Sequence, residues 1–275
     1  MTRLLYICIF LYTAVVFSQG AWTRANKEVY SQLSFNSITY SNIFGNPDYD
    51  TERKISDNTL QLYTEYGVSN KTTLIFNLPL KLLNAGNTLE NNTPITSEGS
   101  ENTLGNITLG VKYQLYKKNW VVSGQLNVET NTGTFFQESG LRSGYDTWTL
   151  VPRINIGRSF DGFYIQGYTG VDVRFNDYSS NLRVGAEIGA TPIKKLWTIG
   201  FLDFSSSFKN GAIVLPVENV LTGLYVNDQE YFAYGLKLIY EASNTFGFLA
   251  NYAGALSGTN VPKSGVLGIG LYHKF

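Results

Sequence analysis

From about residue 28 to the C-terminus, apolar and polar residues alternate with a period of two, over and over. In a β-strand successive side chains point to opposite faces, so this pattern describes ribbons with one greasy side and one polar side. In Asp57–Gly67, Leu60, Leu62, Thr64 and Tyr66 share one face, while Gln61, Tyr63 and Glu65 share the other. Segment Leu104–Tyr116 sets Ile107, Leu109, Val111, Tyr113 and Leu115 against Asn106, Thr108, Gly110, Lys112 and Gln114. The last segment sets Leu267, Ile269, Leu271 and Phe275 against Gly268, Gly270, Tyr272 and Lys274. Twelve such segments follow one another, near 28–40, 57–67, 72–82, 104–116, 120–131, 145–160, 163–175, 181–191, 196–208, 230–243, 245–256 and 265–275. Most run well beyond the roughly 5–6 residues of a soluble strand and reach the 9–11 or so that a tilted membrane strand needs.

The connections alternate too. Tight ones fall at 68–71, 117–119, 161–162, 192–195 and 243–244; longer ones fall near 41–56, 83–103, 132–144, 176–180, 209–229 and 257–264. Short turns on one side and long loops on the other are the habit of bacterial membrane barrels. Aromatic residues crowd both kinds of strand end. Tyr116, Trp120, Phe160, Phe163, Trp197, Phe246 and Phe275 flank the short turns, and Tyr40, Phe136, Tyr145, Trp148, Phe175, Phe208 and Tyr231 flank the long loops. Two aromatic belts are expected at the two membrane–water interfaces.

Charge is sparse, at 15 % of residues against the roughly 25 % of ordinary soluble domains. It falls almost wholly on the polar phase of the strands, with Arg158 an exception beside a turn. That placement fits a soluble sandwich as well as a barrel whose polar side lines a lumen, so it does not choose between them. Strand length, loop alternation, aromatic ends and a terminal Phe275 favour lipid. In lipid the ladder must close, because an open edge leaves backbone groups unpaired. The predicted fold is therefore all-β: a closed antiparallel up-and-down transmembrane β-barrel of about 12 strands. An even strand count puts the N- and C-termini together, in the periplasm, and the predicted location is the cell outer membrane.

The N-terminus predicts how the chain gets there. Arg3, an apolar stretch from Leu4 to Phe17 and then Ser18 read as a secretory signal peptide over residues 1–18, leaving 19–275 as a single barrel domain. Fourteen apolar residues are too few for a spanning helix, which needs about 20. The only cysteine, Cys8, lies inside that leader, so the mature chain has no thiol chemistry and no disulfides. Its closing residues Phe17-Ser18-Gln19 resemble leaders of Bacteroidota.

Several short blocks carry a further resemblance. They are Leu62-Tyr63-Thr64-Glu65-Tyr66-Gly67-Val68, Gly105-Asn106-Ile107-Thr108-Leu109-Gly110-Val111-Lys112-Tyr113, Asn131-Thr132-Gly133 and Leu182-Arg183-Val184-Gly185-Ala186-Glu187-Ile188-Gly189. With the alternating strand that ends on Phe275, they resemble the family of outer-membrane transporters named after the meta-pathway of phenol degradation. The resemblance implies a channel or transporter for small hydrophobic or weakly polar solutes. It also implies contact with outer-membrane lipid, and assembly by the barrel-assembly machinery through the C-terminal strand ending at Phe275.

The polar phase supplies candidates for lining a pore: Glu65, Lys112, Glu129, Arg153, Asp172, Arg174, Arg183, Glu187, Lys237 and Glu241. Lys81 and Asp203 join them, although the phase around Asp203 is mixed. Six acids against six bases read in two ways. They form a cross-strand ion network that braces and fills the barrel, giving a non-conducting structural or partner-binding protein, or they line a polar passage with no strong ion preference. Catalysis has little to stand on. The one histidine, His273, shares the apolar phase with Phe275, and Ser257 and Ser264 are the nearest thing to a lipase nucleophile. No Cys/His cluster, phosphate loop or dinucleotide fingerprint occurs, so no cofactor or metal is expected. Lys+Arg and Asp+Glu balance at 21 each, which gives no basic field for nucleic acid. Sequons at Asn70, Asn91 and Asn106 carry no meaning in a bacterial barrel.

Overall fold

A computed structural model describes residues 20–87, 96–213 and 221–275. The expected signal peptide over 1–18, with Cys8, and the sequon at Asn91 lie outside the described residues.

The alternating segments become the staves of one closed antiparallel barrel. They are β1 (Val29–Phe44), β2 (Tyr49–Ser69), β3 (Thr72–Ala85), β4 (Gly99–Leu104) continued by β5 (Thr108–Lys117), β6 (Val121–Glu129), β9 (Thr149–Ser159), β10 (Phe163–Arg174), β11 (Asn181–Ile193), β12 (Leu196–Ser207), β13 (Glu230–Tyr240), β14 (Phe246–Thr259) and β16 (Gly265–Lys274). Counting β4 and β5 as one stave gives twelve. Loops add two short pieces, β7 (Phe135–Phe136) paired with β8 (Leu141–Arg142), and β15 (Val261–Pro262) paired with the end of β1. Closure is direct: β1 pairs with β2 on one side and β16 on the other, Tyr30 opposite Lys274 and Ser37 opposite Leu267. Val29 and Phe275 exchange backbone hydrogen bonds of 2.9 and 3.3 Å at the seam.

The greasy phase faces out. Leu60 and Leu62 on β2, Leu109 and Val111 on β5, Val184 and Ile188 on β11, and Leu267 and Ile269 on β16 are all exposed. Each alternates with an inward neighbour, as Val184 does with Arg183. Such a surface is stable only against hydrocarbon.

Two expectations about the connections need correction. The segment 41–56 is not a long loop. β1 and β2 run on to Phe44 and Tyr49, and only residues 45–48 turn. The outward residues of the β2 extension are Asp50, Glu52 and Lys54, so the apolar signal stops where the strand leaves the hydrocarbon although the ladder continues. Conversely, the stave predicted over Leu104–Tyr116 is broken at 105–107. Its partner β3 carries Pro79 at the break; a proline has no N–H to donate, while its carbonyl takes the amide of Gly105 at 2.9 Å.

The aromatic belts also need correction. Trp148, Phe175 and Phe208 at the loop end, and Tyr116, Phe163 and Phe275 at the turn end, are exposed on the outside. Tyr40, by contrast, is buried inside, in a cluster with Ile43, Ile55, Leu83, Leu141 and Leu224 against which Phe136 packs. Tyr145 and Trp197 are likewise drawn to interior contacts. Arg158 does face outward, and its guanidinium lies over the rings of Trp120 and Phe160 at the turn end.

Candidate functional site: a lumen closed at both ends

At the turn end the interior is apolar. Tyr30, Tyr63, Ile75, Tyr164, Ile199, Ile239, Leu249 and Tyr272 form one cluster, all on inward positions of their strands. Residues 20–28, which precede β1, enter the barrel and complete it. Trp22 packs against this cluster, edge-on to Tyr164, and Gly157 leaves room for its ring: a Cβ there would come within 2.6 Å of it. The Ala21 amide donates to the Gln166 side chain at 3.1 Å, and the Arg24 amide to Thr73 Oγ1 at 2.8 Å.

A buried ion triad anchors this strap. Glu65 Oε2 accepts from Arg24 Nε at 2.5 Å, Glu65 Oε1 from Lys112 Nζ at 3.2 Å and from the Tyr63 hydroxyl at 2.8 Å. Glu65 is 1 % exposed and Lys112 is fully buried. Lys112 Nζ also reaches the Trp22 carbonyl at 3.4 Å, and the Arg24 guanidinium stacks over Tyr30. Two of the expected pore residues, Glu65 and Lys112, are thus sealed beneath the strap and line neither cavity described below. Glu241 sits just past β13, its amide bonded to the Lys195 carbonyl, and also reaches neither.

Above the strap lie two cavities of 370 and 360 Å³. Asn36, Gln61 and Arg183 line both, which places them in series along the barrel. Arg183 is the hub between them: its guanidinium meets Asp172 at 3.2 Å and Asp203 at 3.1 Å. Arg174 adds a second contact to Asp172, at 3.5 Å. The lower cavity also takes in Arg153, Glu187 and Lys237, and the upper one Lys81, Glu129, Asp172 and Arg174. Asp203, whose phase the sequence left mixed, faces inward opposite Gly185 and accepts from the Tyr168 hydroxyl. Tyr168 lies flat over Gly185, where any side chain would displace the ring. Glu187 accepts from the Tyr164 hydroxyl at 2.6 Å and from the Gln166 amide.

The loops cover the other end. Arg53 donates to the carbonyls of Ser97 (2.8 Å) and Ser139 (3.0 Å) and to Thr96 Oγ1 (2.5 Å). The Tyr40 hydroxyl donates to the Thr222 carbonyl, and Tyr145 to Gln229 at 2.6 Å. Tyr145 stands edge-on to both Tyr178 and Tyr225, and Lys81, paired with Asp57 at 2.8 Å, lies 5.3 Å from the Tyr225 ring. Burial pushes the Tyr225 hydroxyl up to about 12, so it stays neutral. At the rim, Lys263 donates to Asp48 at 2.7 Å; that hydrogen bond, with another from the Gly45 amide, holds the Asp48 carboxyl below its usual value.

The two serines weighed for a lipase lie away from His273. Ser264 and His273 flank opposite ends of β16, about 30 Å apart at roughly 3.3 Å per residue. Ser257 lies near the loop end of β14, paired with Phe232.

Known proteins agree with the architecture. The chain is similar in fold to the COG4313 outer membrane channel from Pseudomonas putida F1, with a TM-score of 0.70 at 13 % identity, over 95 % of this chain and all of that one. It is similar to the NanC porin, with a TM-score of 0.54 at 8 % identity, over 89 % of this chain and all of that one. The translocator domain of the autotransporter NalP from Neisseria meningitidis gives 0.52 at 11 % identity, over 92 % of this chain and 90 % of that one. A channel, a porin and a translocator on one scaffold show that the scaffold alone fixes no function. No curated protein matches the chain in sequence. The family model described as "Putative MetA-pathway of phenol degradation" matches residues 48–269, from the start of β2 into β16, and the chain belongs to that family.

Proposed function

We propose that this protein is an outer-membrane channel for small hydrophobic or weakly polar solutes, with both termini in the periplasm and residues 1–18 removed on export. The observation that carries the reading is the pair of cavities in series on the barrel axis, separated by Arg183. A barrel kept only for its outer surface has no need of them. The family assignment and the likeness to a protein described as an outer membrane channel support the same reading. The solute passes Arg153, Arg183, Glu187 and Lys237 in the lower cavity and Glu129, Asp172 and Arg174 in the upper one.

The second reading, a non-conducting structural barrel, draws on the closure of both ends by the strap and the loops. One experiment separates the two. Liposomes carrying the mature protein are loaded for osmotic swelling with small neutral solutes, and compared with liposomes carrying a chain that lacks residues 20–25. The channel reading expects measurable entry in the wild type and faster entry after the deletion. A barrel that stays sealed in both forms leaves only the structural reading.

A further inference from the structure

We infer that the lower cavity is a binding station for a small organic carboxylate with an apolar body. This deepens the channel reading by naming a solute class, and depends on it only for how the ligand arrives.

The argument is one of unmatched charge. Of the two acids on the lower cavity, Asp203 is paired with Arg183 and takes the Tyr168 hydroxyl. Glu187 accepts on one oxygen from the neutral Tyr164 and Gln166 and has no ion pair among the described residues, so it offsets part of the cationic charge around the cavity without bonding to it. Arg183 is itself occupied on two sides. Two further cations line the same 370 Å³ space, Arg153 from β9 and Lys237 from β13. Among the described residues neither has an ion pair or a hydrogen bond. Arg153 is held only by the Tyr168 ring, 4.9 Å from its guanidinium carbon, and its Nε is buried without a partner. Glu129 feels the field of Arg153 but lines the upper cavity and forms no ion pair with it.

Both cations are half-buried on the lumen wall, where a charge without a partner is less well solvated than at an open surface. A guanidinium offers a planar fork that fits a carboxylate with two parallel hydrogen bonds, and an ammonium adds a point charge. The Asn251 amide lines the cavity beside these cations and adds a donor, and the Asn155 amide, which already donates to Gln125 at 3.4 Å, lines it too. Phe201, Ile239 and Leu249 line it as well and give an apolar surface that an inorganic anion cannot use. The combination of convergent polar groups and an apolar wall, in a space of this size, is that of a small-molecule site.

The test uses para-fluorobenzoate and its neutral counterpart para-fluorobenzyl alcohol, followed by fluorine NMR on the full mature chain in detergent. Partition into the micelle is common to wild type and variants, so their difference reports the site. The wild type is expected to bind the acid about tenfold more tightly than the alcohol, the gain of a charge-assisted contact. Arg153→Gln and Lys237→Gln should each remove most of that preference and leave the alcohol unchanged, with Arg153→Lys intermediate because it keeps the charge and loses the fork. Equal affinity for acid and alcohol overturns the inference, as does a preference that survives both glutamine variants. The assay needs no passage through the barrel. Entry of neutral solutes without a carboxylate preference sinks only this inference, and a carboxylate preference in a sealed barrel sinks only the channel reading.

Discussion

The two ends of the lumen are closed by different physics. At the turn end one strap, residues 20–28, seats an aromatic and an arginine in a dry, apolar interior, and Glu65 meets Arg24 and Lys112 there, with Glu28, the Tyr63 hydroxyl and the Trp22 carbonyl as further partners. At the loop end many short pieces from different hairpins meet, and Arg53 is held by carbonyls and a hydroxyl rather than by an acid. Both arginines are buried, Arg24 at 6 % and Arg53 at 4 % exposure, so the difference lies in their partners. The arginine at the turn end meets a carboxylate, and the arginine at the loop end is one hydrogen-bonding group among several neutral ones.

The most severe way to break the contrast is to remove the anion at the centre of the triad. Glu65→Leu leaves Lys112 buried without its counter-charge and takes from Arg24 its 2.5 Å partner, with Glu28 staying at 3.6 Å, and should cost about 3–5 kcal/mol. Urea unfolding of the barrel in detergent measures it. Replacing all three charges at once, by Arg24→Met with Glu65→Leu and Lys112→Met, should recover most of the loss, because the desolvation cost goes with the charges. If the single and triple variants unfold alike, the strap seat is not a dry environment.

The same operation at the loop end should be milder. Arg53→Ala removes three hydrogen bonds, but the acceptors it frees are neutral and no buried charge is left behind, so the loss is about 1–2 kcal/mol. The effect should also be local, with faster amide exchange at 96–99 and 139–143 and little change in the membrane staves. A global loss as large as that of Glu65→Leu would erase the distinction between the ends.

How much of this was legible in the sequence follows from the same contrast. All twelve staves announce themselves by alternation, because lipid outside and ions inside enforce a period of two over ten residues or more. Where lipid ends, the signal ends: Asp50, Glu52 and Lys54 made a strand read as a loop. The ion hub around Arg183 was half visible. Its members lay on the polar phase, but which acid meets which base depends on the stagger of neighbouring strands, and Asp203 needed its pairing with Gly185 to be placed. The strap was invisible. Trp22 and Arg24 have no periodicity, and their partners Tyr164, Glu65 and Thr73 are distant in the chain. The one hint was the excess of apolar residues on the inward phase at the turn end, such as Ile199, Ile239 and Leu249, which need something apolar to face.

The smallest expected effect sharpens the loop-end side of the comparison. Asp48 in the β1–β2 turn and Lys263 in the last turn are both well exposed, and their 2.7 Å contact ties the two rims together. The carboxyl is held below its usual value first by the Lys263 hydrogen bond and then by the Gly45 amide. A group whose folded value is depressed stabilises the fold above its unfolded value, and that contribution is lost as pH falls through the folded one. The tie should therefore be fully present at neutral pH and vanish only under acid conditions, below the ordinary carboxylate range near 3.9 or so. Carbon-detected NMR titration of Asp48 should show a low midpoint that rises toward the ordinary value in Lys263→Gln, with no measurable change in the unfolding of the barrel, since exposed pairs contribute little. A midpoint unmoved by Lys263→Gln would mean that the turn's own amide holds the carboxylate, and that the rims are not tied by charge at all.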